Sequence, residues 1–314
     1  MLRYTLRRIS FLVITILITS IIIFSIAQLL PGDVARVILG REAGEEALSA
    51  LRVKLGLNDP APVRYLHWLN DFVHGDWGHS YTDDSEIRPL VTQRLIKSLW
   101  LAFVALVMSV PVSIALGVIA GLNANKPIDG LISVTSLALV GFPEFVSGIV
   151  LINVVAFQWH WLPASSSIRP TATFQDALPF LILPAFTATL VLLAYVIRLT
   201  RAGVIEVLKK AYVRTAVLKG LPWRQVVTSH ILRNALLPTV TVVAISFGWL
   251  ISGLVVIENV FAYPGIGRLM IDAISRRDLP LMQAISMVTV IAYSVLNLLA
   301  DLLYAYLNPR IRLE

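Results

Sequence analysis

Cysteine is missing altogether from the 314 residues. That excludes disulfides and any thiolate-held metal, and it leaves the redox compartment undecided. Histidine is scarce, and the five present are scattered, with none at H-E-x-x-H or a comparable ligand spacing. No G-x-x-x-x-G-K-[ST] segment occurs, so the chain has no P-loop and cannot hydrolyse ATP by that route. No Ser/His/Asp set and no paired carboxylates fall at one depth, which leaves an enzyme little to work with. Charge is sparse as well. Only 14% of residues are Asp, Glu, Lys or Arg against 57% apolar, too few for an ordinary soluble domain. The formal net charge of +7 raises nucleic acid as a partner, but the basic residues gather at the ends of apolar segments, which argues against it.

What the chain has instead is long apolar runs. Ile9–Leu30, Ser98–Leu122, Ala177–Ile197, Ala235–Ile257 and Leu279–Ala300 carry no charge, and Leu131–Trp161 carries only Glu144. Each exceeds the roughly 20 residues of a spanning helix. The expectation is an all-α polytopic membrane protein with six transmembrane helices. A cleaved signal peptide is the rival for the first run, with Ser25-Ile26-Ala27 as a weak cleavage site, but the apolar core is too long for one. Pro111, Pro179 and Pro184 inside the runs are tolerated where neighbours satisfy the freed backbone groups. Lys and Arg set the orientation. With the N-terminus inside, Met1–Arg8, Asn123–Gly130, 198–233 and Asn308–Glu314 hold fourteen of the 26 basic residues. Both termini are therefore expected in the cytoplasm.

Three regions follow: 1–30 as N-terminus and first helix, 31–93 as an extracytoplasmic loop, and 94–314 as the core with a cytoplasmic loop at 198–234. The outer loop holds ten acids and six bases over Pro31–Gln93. Leu55–Pro60 reads as a turn, Tyr65, Trp68 and Phe72 as an amphipathic helix, and Gly75–Tyr81 as a turn with exposed aromatics. One reading is a packed cap over the helix ends. The other is a contact surface for substrate or a delivery protein.

The segment 198–233 carries eight Lys/Arg against the single acid Glu206. Leu208, Ala211, Tyr212, Thr215 and Leu218 repeat at helical spacing, Gly220 and Pro222 stop and restart the chain, and Val226, Val227, His230 and Ile231 form a second apolar face. Gly220 is expected at positive φ. A basic helix–turn–helix can also read DNA, but the flanking spans leave no room to enter a groove. Anionic lipid explains the charge but neither the Gly-Leu-Pro turn nor the two apolar faces, whereas a soluble protein partner explains both.

Polar groups within the spans are few. Glu144, in Gly141-Phe142-Pro143-Glu144-Phe145, is a candidate for the substrate pathway, with pairing or an interfacial position as the alternatives. Asn153 and Asn297 are lesser pathway candidates, and helix–helix hydrogen bonding is the preferred reading for both. Asp301 is expected to pair with a cytoplasmic arginine. Glu258-Asn259-Val260-Phe261-Ala262-Tyr263-Pro264-Gly265-Ile266-Gly267-Arg268-Leu269 combines a Pro-Gly turn with a short helix.

Arg214-Thr215-Ala216-x-x-Lys219-Gly220-Leu221, then His230 and Arg233-Asn234-Ala235-Leu236-Leu237-Pro238, resembles the coupling loop of ABC importer permeases. More narrowly it is similar to the first permease of the dipeptide/oligopeptide/nickel subfamily. Arg214-Thr215-Ala216 stands where the generic motif has Glu-Ala-Ala, and the long spacing from Gly220 to Pro238 also resembles the peptide branch. Arg7-Arg8, Leu30-Pro31-Gly32-Asp33, the 258–269 segment and Asn308-Pro309-Arg310 extend the resemblance over nearly the whole chain. Glu144 departs from it, since a small polar residue is usual there.

The resemblance implies a type I importer permease of the inner membrane, one half of a channel for di- or oligopeptides, completed by a second, similar permease. It implies two ATP-binding subunits that hold ATP and Mg, an extracytoplasmic substrate-binding protein, surrounding membrane lipids, and no cofactor, metal or nucleic acid on this chain. Arg214, Thr215, Ala216, Lys219, Gly220, Leu221, Pro222 and Trp223 would couple to the ATPase, while Glu258, Pro264, Gly265 and Gly267 would belong to an outer gate. Nickel or another small solute is the alternative cargo. An ion-coupled secondary transporter is the rival mechanism, but no repeated halves or broken charged helices support it.

Overall fold

Apolar runs of this length give long helices, because in hydrocarbon the backbone must satisfy its own hydrogen bonds. The computed structural model describes residues 2–29, 36, 39, 43–54 and 59–307. Leu30-Pro31-Gly32-Asp33, Leu55-Gly56-Leu57-Asn58 and Asn308–Glu314, which the sequence reading used, lie outside them. In chain order the helices are α1 (Leu2–Leu29), α2 (Glu45–Lys54), α3 (Ala61–His74), α4 (Ile87–Leu122), α5 (Pro127–Gly141), α6 (Glu144–Leu151, continuing as a π-helix over Ile152–Gln158) and α7 (Phe174–Leu208). Then come α8 (Ala211–Leu218), α9 (Trp223–Gln225, continuing as a π-helix over Val226–Leu232 and an α turn over Arg233–Ala235), α10 (Leu237–Gly253), α11 (Val255–Val260), α12 (Ile266–Arg276) and α13 (Leu279–Leu307). Among the described residues four helices are long and apolar enough to cross a membrane, and two bent pairs bring the number to six if each pair is one span.

The number agrees with the six spans expected if each bent pair counts as one. The run Leu131–Trp161 breaks by 98° between α5 and α6. Pro143 is the cause, since it disfavours helical backbone at the residue before it, and Phe142 is extended at φ −87° and ψ 131°. The α9–α10 pair bends by 46°. Two helices outrun their apolar segments: α4 begins at Ile87 rather than Ser98, and α7 continues to Leu208 rather than Ile197. The start of α7 is fixed by a capping box between Thr173 and Asp176.

The centre of the fold is the pairing of α4 with α7. Small side chains make close approach possible, as they do between helices in lipid. A Cβ on Gly117 would lie 2.6 Å from Thr200 Cβ, and one on Gly121 would lie 2.7 Å from Val204 Cβ. Around this seam Leu101, Ala102, Ala105, Leu181, Ala188 and Leu192 are buried.

At one end α3 lies over α1 and α13. Phe24, Tyr65, Trp68, Phe72 and Trp77 form a continuous chain of ring contacts. This is the packed cap. It corrects the exposed aromatics expected at Gly75–Tyr81, because Trp77 stacks on Phe72 at 5.1 Å and donates to the Phe72 carbonyl. Asp278, fully buried before α13, accepts from the Ser80 hydroxyl and ties this region to the last helix. At the opposite end Arg8 and Asp301 pair at 3.0 Å, joining α1 to α13 as the sequence suggested.

Candidate functional site

The stretch from Lys209 to Ala235 forms a small helical platform beyond the end of α7. Its inner side is apolar: Val213, Ala216, Val226, Ile231 and Ala235 are buried with Val204 and Val207 of α7. Gly203 lets the platform seat closely, for a Cβ there would lie 2.6 Å from the Ala235 carbonyl oxygen. The second expected face holds, with Val226 and Ile231 fully buried. The first needs correction. Leu208 closes α7, and Ala211, Tyr212, Thr215 and Leu218 of α8 point away from the chain's own core. Helical spacing identified a stripe, but Val213 and Ala216 are the residues that meet α9.

An apolar surface is therefore left uncovered. Leu218 is 77% and Trp223 54% exposed, with Val217, Tyr212 and Pro222 also outside. Arg214, Lys219 and Arg224 surround them, all exposed. Gly220 shapes the turn between α8 and α9. Its φ of +74° lies in the left-handed region, and nothing stands within 4 Å of where a Cβ would sit. The glycine serves the backbone and not a tight contact. Of the eight candidate coupling residues, Ala216 is buried, Leu221 half-buried, and Arg214, Thr215, Lys219, Gly220, Pro222 and Trp223 face outward.

Far from the platform, at Lys97 and Ser98 of α4, a second arrangement centres on Glu258, which is fully buried. Its Oε2 accepts from the backbone N–H of Gly267 at 2.7 Å and of Arg268 at 3.1 Å. The Ser98 hydroxyl donates to Oε1, while Ser98 Oγ accepts from the Ile266 N–H at 2.8 Å. A carboxylate thus caps α12, where free N–H groups and the helix dipole favour negative charge. The glycines make room for it: a Cβ on Gly265 would fall 2.1 Å from the Glu258 carboxyl, and one on Gly267 2.6 Å from Val255 Cα. Pro264 is buried beside them. Tyr263 donates to the Lys97 carbonyl at 2.7 Å, so α4 is tied to this segment twice.

The three intramembrane candidates do not share one surrounding. Glu144 is the first residue of α6, half-buried at the bend, with no hydrogen-bond or ion-pair partner among the described residues. Asn153 accepts from Gln158 at 2.9 Å within its own helical segment, which corrects the helix–helix bond expected of it. Asn297 lies in a groove between α1 and α13, with its Oδ1 3.3 Å from where a Gly248 Cβ would be.

One tie left no trace in the sequence. Asp129, at the start of α5, is nearly buried and accepts from Arg201 Nε at 2.5 Å and Nη2 at 2.7 Å. The forked pair clamps α5 to α7 just short of the platform. Seventy-two residues separate the partners, and no local signal announces such a pairing.

Residues 113–313 match the family described as binding-protein-dependent transport system inner membrane component, and residues 1–102 match its N-terminal companion. A probable peptide ABC transporter permease protein of Sinorhizobium fredii is 37% identical, covering 98% of this chain and 99% of its own. The glutathione transport system permease protein of Escherichia coli K12 is 35% identical, with 99% of each chain covered. Among solved structures, the crystal structure of an amino acid ABC transporter with histidines matches at a TM-score of 0.52 and 18% identity, over 69% of this chain and 94% of that one. That likeness concerns the fold.

Proposed function

Because the chain belongs to the family of binding-protein-dependent transport system inner membrane components and is an ABC importer permease of the peptide type, we propose that its platform at 209–235 is the surface on which a separate ATPase acts. The observation that carries this reading is the uncovered Leu218 and Trp223 beside Gly220, framed by Arg214, Lys219 and Arg224. Exposed apolar groups with a basic rim suit a groove on a soluble protein better than water. The platform end is cytoplasmic in this reading, the α3 end extracytoplasmic, and both termini inside. A second, similar permease completes the pathway, two ATPases hold ATP and Mg, and a binding protein delivers the solute at the α3 end. Small peptides are the proposed cargo, a class that includes the tripeptide glutathione named for one relative.

Closure of the ATPases would press on α8, and α7 would carry the displacement along the α4 seam to Ser98 and the Glu258 cap. Inner and outer ends then alternate in access. Purification of the tagged chain from its own operon in mild detergent is the test. Co-purified P-loop ATPases and a second permease are expected. A chain recovered alone, folded, and moving solute in vesicles without ATP would overturn the proposal.

A further inference from the structure

Beside the Asp129–Arg201 clamp, α5 and α7 diverge and leave a cavity of about 500 Å³. The helices run antiparallel from the clamp, so the lining changes along the cavity. Ser133, Tyr195 and Arg198 lie near the clamp, and Leu137, Val140 and Val191 lie away from it. From Arg201 back to Val191 the helix rises about 15 Å at 1.5 Å per residue, half of the roughly 30 Å hydrocarbon layer. The cavity thus has the depth of one leaflet and the polarity of one lipid, charged at the end and apolar along the body. Arg201 is committed to Asp129. Arg198 and Tyr195 are both exposed, and among the described residues neither has a hydrogen-bond or ion-pair partner.

We infer that this groove binds one anionic phospholipid from the leaflet on the platform side, with its phosphate on Arg198 and the Tyr195 hydroxyl and an acyl chain along Leu137, Val140 and Val191. The uncommitted guanidinium supplies the charge complementarity, since basic pockets between helices at the inner interface attract anionic head groups. Apolar walls select a lipid over a free anion. The bound lipid would brace α5 against α7 at the point where α7 hands over to the platform. Nothing in this depends on which solute is carried.

The test is native mass spectrometry of the full chain, alone and with its co-purifying partners, titrated with phosphatidylglycerol, phosphatidylethanolamine and inorganic phosphate. The wild-type chain is expected to retain phosphatidylglycerol over phosphatidylethanolamine and to be unaffected by millimolar phosphate. Equal retention of the two lipids overturns the inference, and this reading needs no variant to fold. Arg198→Gln is expected to weaken phosphatidylglycerol retention about fivefold, the effect of one basic residue at such a surface. Val140→Trp, which fills the apolar end and leaves the charge in place, is expected to reduce it as well. Loss on Arg198→Gln alone together with displacement by phosphate would mean a soluble-anion site. The chain has no native cysteine, so Leu137→Cys is a clean cross-linking probe. A cross-link from it to the second permease would put protein where the lipid is placed, and would also overturn the inference.

Discussion

Gly220 is the residue whose substitution separates function from folding most cleanly. A Cβ there meets no neighbour, so a larger side chain pays only for the left-handed backbone. That strain is about 1–3 kcal/mol, confined to a turn outside the spans. Gly220→Val is expected to insert normally, and to lose ATP-dependent uptake and co-purification of the ATPase. Membrane fractionation beside uptake assays checks this, and loss of insertion would make Gly220 a folding residue. Glu258 is the opposite case. Glu258→Ala leaves the N–H groups of Gly267 and Arg268 without an acceptor in a buried setting, each costing about 1–3 kcal/mol. Gly265→Ala should fail similarly by driving a methyl into the carboxyl. Lower yields and a lower melting midpoint in detergent are the expected readouts for both. Asp129→Asn weakens the clamp on Arg201, a charged hydrogen-bonded pair worth about 1.5–3 kcal/mol, and should lower the same midpoint by less than Glu258→Ala does.

Among elements, legibility followed the hydrophobic period. The four long spans were readable because apolar runs over 20 residues admit few alternatives in lipid. Their ends were not, since α4 begins early by packing Ile87 and Val91 on α12 and α13, and α7 runs on by packing Thr200 and Val204 on Gly117 and Gly121 of α4. Pro143 marked a place where a helix could kink or end, but the size of the bend was not legible, because a proline in a span is often absorbed, as Pro111 is within α4. The platform's two helices and the positive φ at Gly220 were legible from turn chemistry. Which side of α8 faces inward was not, since that depends on where α9 lies. Glu258 stood out as a motif, whereas its work as a helix cap became apparent only once Ser98, over a hundred and fifty residues away, came into place. The α4–α7 seam is tightest at its glycines. Gly121→Leu would push its side chain into Val204 and the Arg201 carbonyl, overpacking that costs about 1–3 kcal/mol. A broadened gel-filtration peak with wild-type insertion is expected, while an unchanged peak and melting midpoint would mean the helices separate freely there.

Across the whole molecule, the two ends differ in what they leave uncovered. At the α3 end stacked rings and the Asp278 tie bury the aromatics, with Leu66 and Val73 of α3 left exposed, while the platform end leaves Leu218 and Trp223 open beside a basic rim. In a chain without cysteine, Leu218→Cys should react with a membrane-impermeant maleimide only in inverted vesicles, and bound ATPase should shield it. Labelling from the opposite face would reverse the orientation proposed here. Ser275→Cys, exposed near the end of α12, is expected to show the opposite sidedness.

The helix α4 has a further consequence. Its 36 residues make a rod of about 54 Å, pinned about a third of the way along at Lys97 and Ser98 and seated beyond that on α7. A rod of that kind cannot let one mouth yield while the other stays put. In a membrane that stores energy as an ion gradient, this stiffness serves as insulation, since a permease open at both mouths would short-circuit the gradient. A seam loosened at Gly121 would then show itself first as a conductance, before any loss of uptake.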